Sequence, residues 1–291
     1  LAQILDGTAL SSILREEMRK QVDLFQVQGT PLPGLGVVLV GDDPASKVYV
    51  EQKKKACKAV GFFSTEIKLP ASITQEELID TVKTLNNDSR IHGFLVQMPV
   101  PKHINIDAVI DSIDPAKDVD GVHPLHLGRL FAGNEMFAPC TPLGIIEILK
   151  RYNIPIEGKN VLIIGRSNTV GKPVALLFLR ENATVTTAHS KTIDLAGQVA
   201  KSDIVVAAIG KPRFVKGEWL KPGAVVIDVG INSVPDASKP SGHRLVGDVD
   251  FDAAKERASW ITPVPGGIGP MTISLLLLNT LKARNNILSN L

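Results

Sequence analysis

The chain has 291 residues, 44% apolar and 21% charged, with a formal net charge of +2. That length supports two domains with cores of their own, and the ordinary charged fraction describes a soluble globular protein. So small a net charge, with no arginine-rich stretch and no interleaving of aromatic and basic residues, gives no argument for nucleic acid, and no such partner is expected. The only cysteines, Cys57 and Cys140, lie far apart, which argues against a disulfide or zinc framework and fits a reducing cytoplasm. The longest apolar run, LLLL at 275–278, falls far short of the ~20 residues a bilayer requires. No membrane partner is therefore expected, and no signal or transit pattern opens the sequence as given.

Short apolar runs alternate with helical patterns, which predicts an α/β fold with parallel sheets. LGVVLVG (35–41) reads as a buried strand, and Asp43-Pro44 opens a helix with an acidic cap and proline in its first turn. FSTEIKLP (63–70) reads as a second strand, and Thr74 and Glu77 form a capping-box pattern for a helix to about Asn87. GFLVQMPVP (93–101) is a strand stopped by proline, Asp114–His126 reads as loop, and Thr141-Pro142 opens a helix ending near Tyr152. A second series follows: strand 160–167, helix 169–182, strand 183–190, a short helix, and strands 203–210 and 224–232. The last helix runs from about Pro270 to Asn285. Two lobes joined near residue 140 are the simplest partition. Ligands of open α/β sheets sit beyond the carboxyl ends of the strands. That rule points to Asp42–Ser46, Gln97, Gly165–Gly171, Ser190, Gly210 and Gly230–Asn232.

On a helix over 46–60, at about 100° per residue, Glu51, Lys47, Lys54, Lys55 and Lys58 share one wet face, with Glu51–Lys55 as an i,i+4 pair. Lys53 falls on the opposite face with Ser46, Tyr49, Val50, Ala56, Cys57 and Val60. Two readings of Lys53 stand open. Its stem can lie on apolar surface while the ammonium reaches water. Alternatively the amine is desolvated, with a lowered pKa that lets it exchange protons near neutrality. Gln97, at a strand end, either faces water or bonds such an amine. In KDVDG (117–121), Asp118 and Asp120 are either turn chemistry or a carboxylate that accepts N–H bonds from a heterocycle.

Gly165-RSNTV-Gly171 sits between a strand and a helix, as a phosphate-cradling turn does, but it is not GxGxxG. The next strand ends in His189, Ser190, Lys191 and Thr192, without the acid that holds a ribose 2′-hydroxyl. With Arg166 on the first turn, this set favours a 2′-phosphate, hence NADP over NAD, unless Arg166 and Lys191 merely face solvent. TPVPGGIGPMT (262–272) is either a close-approach loop for a ligand or a plain helix start. The six histidines form no metal pattern, and His123 and His126 read as structural or exposed.

SKVYVEQK, VQMPVP, KDVDG, PCTP, GRSNTVGKP, HSKT, VIDVGIN and TPVPGGIGPMT occur in this order. Together they resemble the signature segments of bifunctional methylenetetrahydrofolate dehydrogenase/methenyltetrahydrofolate cyclohydrolases, most of all the bacterial ones, over nearly the whole chain. The resemblance implies a homodimer with two α/β lobes around a cleft. Residues 1–140 would form a folate-binding catalytic domain, with the C-terminal helix 268–291 packing back on it, and 141–267 a Rossmann-like NADP-binding domain. Carried over by position, Lys53 is the catalytic lysine, Gln97 its partner, Tyr49 a lining residue and Asp120 the holder of the pteridine ring. Pro265 and Gly266 border the folate. Gly165, Arg166, Ser167 and Gly171 contact NADP, Ser190 lies near the 2′-phosphate, and the backbone of Ile231 meets the nicotinamide end. The implied activity oxidises 5,10-methylenetetrahydrofolate with NADP⁺ and hydrolyses the product to 10-formyltetrahydrofolate. Its rivals are another NADP-dependent dehydrogenase of the shikimate dehydrogenase kind, a dehydrogenase-only family member, and a non-catalytic nucleotide-binding module.

Overall fold

The computed structural model describes residues 1–239 and 242–289. In chain order its elements are β1 (Gln3–Ile4), α1 (Gly7–Val27), β2 (Gly34–Val40), α2 (Pro44–Val60), β3 (Phe63–Leu69), α3 (Gln75–Asn87), β4 (Gly93–Gln97), α4 (Ile106–Asp111) and α5 (Pro124–Ala132). Then come α6 (Cys140–Arg151), β5 (Asn160–Ile164), α7 (Gly171–Arg180), β6 (Thr184–Ala188), α8 (Leu195–Ala200), β7 (Ile204–Ala207) and β8 (Val225–Asp228). The chain closes with β9 (Asn232–Pro235), β10 (His243–Val246), α9 (Phe251–Lys255), β11 (Trp260–Ile261) and α10 (Ile268–Ser289). Of the expected helix 268–291, residues 290 and 291 lie outside the described residues. The chain forms two compact units: Leu1–Ser11 with Thr141–Thr272, and Ser12–Cys140 with 273–289.

In the unit built on Ser12–Cys140, β2 is the middle strand of a parallel sheet ordered β3-β2-β4. Every residue of β2 is buried, as a central parallel strand requires. Val38, Val40, Leu78, Val82, Leu85, Phe94 and Val96 form part of one core cluster. The caps fix the helices on this sheet. Asp43 accepts the Ser46 amide at the start of α2, and Gly61, left-handed at φ 79°, closes its end. Thr74 and Glu77 make the expected reciprocal capping box on α3. Three local expectations change. Glu51 pairs with Lys54, not Lys55, because Lys54 can also reach Glu66 on β3. The stretch Asp114–His126 holds a 3₁₀ turn at Pro115–Lys117 and the first turn of α5, whose opening proline starts a helix instead of breaking one. The strand expected over 93–101 ends at Gln97.

The unit built on Thr141–Thr272 carries a six-stranded parallel sheet, β1-β11-β8-β7-β5-β6. Its first strand comes from the extreme N-terminus, with Ala2 part of the core cluster beside Leu162, Val205 and Val226. The linear boundary at residue 140 therefore fails for residues 1–11, because a two-residue edge strand finds its partner only in tertiary structure. The strand expected over 224–232 divides: β8 ends at Asp228, and Asn232 begins the antiparallel pair β9-β10. Both sheets are parallel α/β sheets, the expected fold class. Among the described residues, no helix is long and apolar enough to cross a membrane.

Candidate active site

The caps of α2 set its phase, and that phase turns Lys53 away from the charged face. The ammonium donates to Gln97 Oε1 at 2.7 Å. The same amide donates from Nε2 to the Met98 carbonyl at 2.8 Å, which points its oxygen at the lysine. Ser46 Oγ donates to that carbonyl too, at 3.2 Å, tying the first turn of α2 to the end of β4. The lysine side chain keeps some accessible surface, yet enough protein surrounds the ammonium that burial lowers its pKa. The Asp120 carboxylate pulls the other way more weakly. The bond to Gln97 and the burial around the ammonium favour a desolvated amine over one that reaches water. Tyr49, one turn earlier on the same helix, is half-buried, and burial raises its phenol pKa.

Asp120 arrives on the KDVDG segment. A parallel bridge between Phe94 and Asp118 lays that segment beside β4. Gly93 makes room for it, since a Cβ there would meet the Val119 side chain at 2.1 Å. Asp118 is buried, accepts the His123 amide at 2.7 Å, and leaves Oδ1 unpaired. Burial, with the Asp120 charge adding to it, pushes its pKa up to about 7 against the pull of the His123 amide. His126 is buried, with Nε2 2.7 Å from the Pro115 carbonyl, which fits a structural role. Neither Cys140 nor Asn279 stands out in the sequence as part of this neighbourhood. The Cys140 thiol donates to the Val119 carbonyl at 3.3 Å, and Asn279 of α10 donates to the same oxygen at 2.9 Å. Lys53, Gln97, Tyr49 and Asp120 thus all belong to the unit of Ser12–Cys140.

The other candidates belong to the second unit. Gly165, after β5, has φ 127°, and a Cβ there would stand 2.2 Å from the Ala208 carbonyl oxygen. Gly171, opening α7, would drive a Cβ to 2.3 Å from the Gly165 carbonyl oxygen. Only glycines let this turn fold so tightly. The Ser167 hydroxyl accepts the Val170 and Gly171 amides at 3.1 and 3.3 Å, so the helix's own first donors are taken. A phosphate would therefore draw on the exposed Arg166 side chain and on the turn, not on those amides. Ser190 is exposed just after β6, next to His189, whose Nδ1 accepts the Lys191 amide at 3.2 Å. Tight glycines, an exposed guanidinium and a hydroxyl, with no acid at the end of β6, fit a dinucleotide. Ile231, 46% exposed, stands on the loop after β8. Pro265 and Gly266 also fall in this unit, where the Gly266 carbonyl accepts the Thr8 amide at 2.9 Å. Among the described residues, no group of three or more His, Cys, Asp or Glu could hold a metal ion.

Comparison with known proteins also finds two domains, divided linearly between residues 120 and 139, whereas the compact units exchange residues 1–11 and those after 272. The catalytic-domain model of tetrahydrofolate dehydrogenase/cyclohydrolase matches residues 5–120, and the NAD(P)-binding-domain model of the same family matches 139–288. The chain is 54% identical over 283 residues to the bifunctional protein FolD of Geotalea daltonii, covering 97% of this chain and 99% of that protein. The crystal structure of the bifunctional FolD methylenetetrahydrofolate dehydrogenase/cyclohydrolase from Campylobacter jejuni superposes with a TM-score of 0.94 at 45% identity, over 99% of this chain and 100% of that one. The Trypanosoma brucei enzyme, complexed with NADP cofactor and an inhibitor, gives a TM-score of 0.95 at 43% identity, over 99% and 98%. With both domain models matched and relatives of this identity along nearly its whole length, the chain belongs to the tetrahydrofolate dehydrogenase/cyclohydrolase family.

Proposed function

We propose that the chain oxidises 5,10-methylenetetrahydrofolate to the 5,10-methenyl cation with NADP⁺ and then hydrolyses it to 10-formyltetrahydrofolate, with Lys53 as the proton handler. The observation that carries the reading is the 2.7 Å bond between a desolvated Lys53 ammonium and an oriented Gln97 amide. When bound, the dinucleotide supplies a hydride acceptor; the protein's part in that step is to hold two ligands in register. Asp120 accepts N–H bonds from the pteridine, Tyr49 lines the folate, and Pro265 and Gly266 border it. Gly165, Arg166 and Ser167 hold the dinucleotide, Gly171 lets the turn close tightly enough to receive it, Ser190 meets its 2′-phosphate, and the Ile231 backbone meets its nicotinamide end.

Hydrolysis needs a proton taken from the attacking water and a proton delivered to the departing ring nitrogen. An amine whose pKa burial lowers gives up its proton more readily than a solvated lysine and can take one back, and the Gln97 oxygen keeps it on station. The reading also includes a homodimer and a cytoplasmic location. One assay tests it: methylenetetrahydrofolate with NADP⁺ or NAD⁺, with and without magnesium, following reduced nucleotide and methenyl decay separately. Folate-dependent NADPH formation with methenyl decay above the spontaneous rate is expected. Reduction without hydrolysis would leave a dehydrogenase-only enzyme. No folate-dependent reduction would overturn the proposal.

A further inference from the structure

Two buried acids in the unit of Thr141–Thr272 accept an unusual number of backbone amides. Asp248 is fully buried. Its Oδ2 accepts the amides of Ile209 and Gly210 at 2.6 and 2.9 Å, and its Oδ1 accepts the Lys211 amide at 2.9 Å. Three consecutive N–H groups after β7 thus curl around one carboxylate, which takes the place an anion would hold in such a nest. Asp248 Oδ1 also accepts a bond from the side-chain Nδ2 of Asn232 at 2.9 Å, from just beyond Ile231. Asp228, at the end of β8, is buried in turn. Its Oδ1 accepts the amides of Gly230 and Asp248 at 2.9 and 2.8 Å, and its Oδ2 that of Val249 at 2.9 Å. The two acids are therefore linked: Asp228 holds the backbone of Asp248, and Asp248 holds the loops.

The glycines agree. A Cβ at Gly230 would sit 2.3 Å from Asp248 Oδ1, and one at Gly247 would sit 1.8 Å from Asp228 Oδ2. Both positions lack a side chain because a carboxylate fills that space. The loops so gathered follow the carboxyl ends of β7 and β8, where ligands of open parallel sheets bind.

We infer that Asp248, anchored by Asp228, is a positioning residue for dinucleotide use: it sets the Gly210 loop and the Ile231 loop against each other, an inference that rests on the reading of those loops as the nicotinamide end of the cofactor site. Asp248 collects four N–H donors on its two oxygens, and a buried donor left without its acceptor is costly. Asp248→Asn swaps one acceptor oxygen for a donor that faces N–H groups.

The test measures both activities in the full-length chain, with NADP⁺ binding followed by titration calorimetry. Asp248→Asn is expected to raise the KM for the dinucleotide about tenfold or more. The KM for methylenetetrahydrofolate and the cyclohydrolase rate, which uses no dinucleotide, should stay within about twofold. That split is what a merely structural role would not produce. A dinucleotide KM unchanged in Asp248→Asn, with wild-type protein that binds NADP⁺, overturns the inference alone. Wild-type protein that binds neither NADP⁺ nor NAD⁺ overturns the reading of the site and the inference with it. Should Asp248→Asn lose both activities together, Asn232→Ala decides, since it removes one donor and leaves the carboxylate. A rise of about threefold in the dinucleotide KM with hydrolysis intact supports the inference, and no rise refutes it.

Discussion

At Lys53 two influences oppose each other: burial lowers the pKa of the amine, and the Asp120 carboxylate raises it less. The neutral amine therefore becomes populated at a lower pH than in a solvated lysine. The cyclohydrolase kcat/KM should rise with pH along a limb set below the ordinary lysine range. Gln97→Glu puts a negative charge where Oε1 now sits, favours the ammonium, and should move that limb to higher pH in a pH–rate profile. Lys53→Met should abolish cyclohydrolase activity while leaving NADP⁺ binding intact by calorimetry; hydrolysis at the wild-type rate would remove Lys53 from the mechanism. The same shift has a consequence for stability. The unfolded lysine holds its proton up to its usual pKa of 10.5 and the folded one releases it earlier, so stability rises with pH between the lowered value and 10.5. Lys53→Met should accordingly melt a few degrees higher than wild type at neutral pH, by an advantage that shrinks as pH rises. Lys53 is legible in the sequence because one helix and its phase are enough to place it. Asp248 is not, because its backbone donors lie 37 to 39 residues away and nothing in GDVDF announces them.

Helix caps are the elements' clearest link between sequence and stability. Thr74→Ala removes the acceptor for the Glu77 amide and half of a reciprocal pair. It should cost about 1 kcal/mol in urea unfolding while both activities stay at wild-type levels. Asp43→Ala removes the 2.7 Å cap of α2, the helix that carries Lys53. A similar loss of stability should then come with a lower cyclohydrolase kcat. These caps are readable because their chemistry spans three or four residues. Pro124 illustrates the converse, since a proline at a first helical turn and a proline in a loop look alike until the next turn is seen to form. Residues 1–34 are unassigned by the patterns above, although α1 carries a usable signal. Leu10, Leu14, Met18 and Val22 recur every fourth residue and are all buried, and Asp6 accepts the Ala9 amide at 2.9 Å. The pair β9-β10 gives a weaker signal, because most of its residues stay exposed and no apolar alternation marks it.

Each compact unit is assembled from two segments that are separated by more than 120 residues of the other unit. Leu275, Leu276, Leu277, Leu281 and Ala283 of α10 are buried, and Asn279 holds the Val119 carbonyl, so the unit of Ser12–Cys140 needs residues beyond 272. Ending the chain after Thr272 should abolish cyclohydrolase activity and leave that sheet open to proteolysis. Deleting residues 1–5 should instead speed amide hydrogen exchange in β11, the partner of β1, with little change in β2. No local pattern announces such discontinuous assembly, since a two-residue strand and a C-terminal helix carry no address in their own sequence. The placement of the rarest side chains adds a practical consequence. Both tryptophans, Trp219 and Trp260, lie within Thr141–Thr272, and both cysteines, Cys57 and Cys140, within Ser12–Cys140. Burial pushes the Cys57 thiol up to about 12 and Cys140 well above its ordinary value, so neither reacts readily while its surroundings stay closed. Intrinsic fluorescence therefore watches one half of the polypeptide and thiol labelling the other, and the unaltered chain can report whether its halves come apart together or in turn.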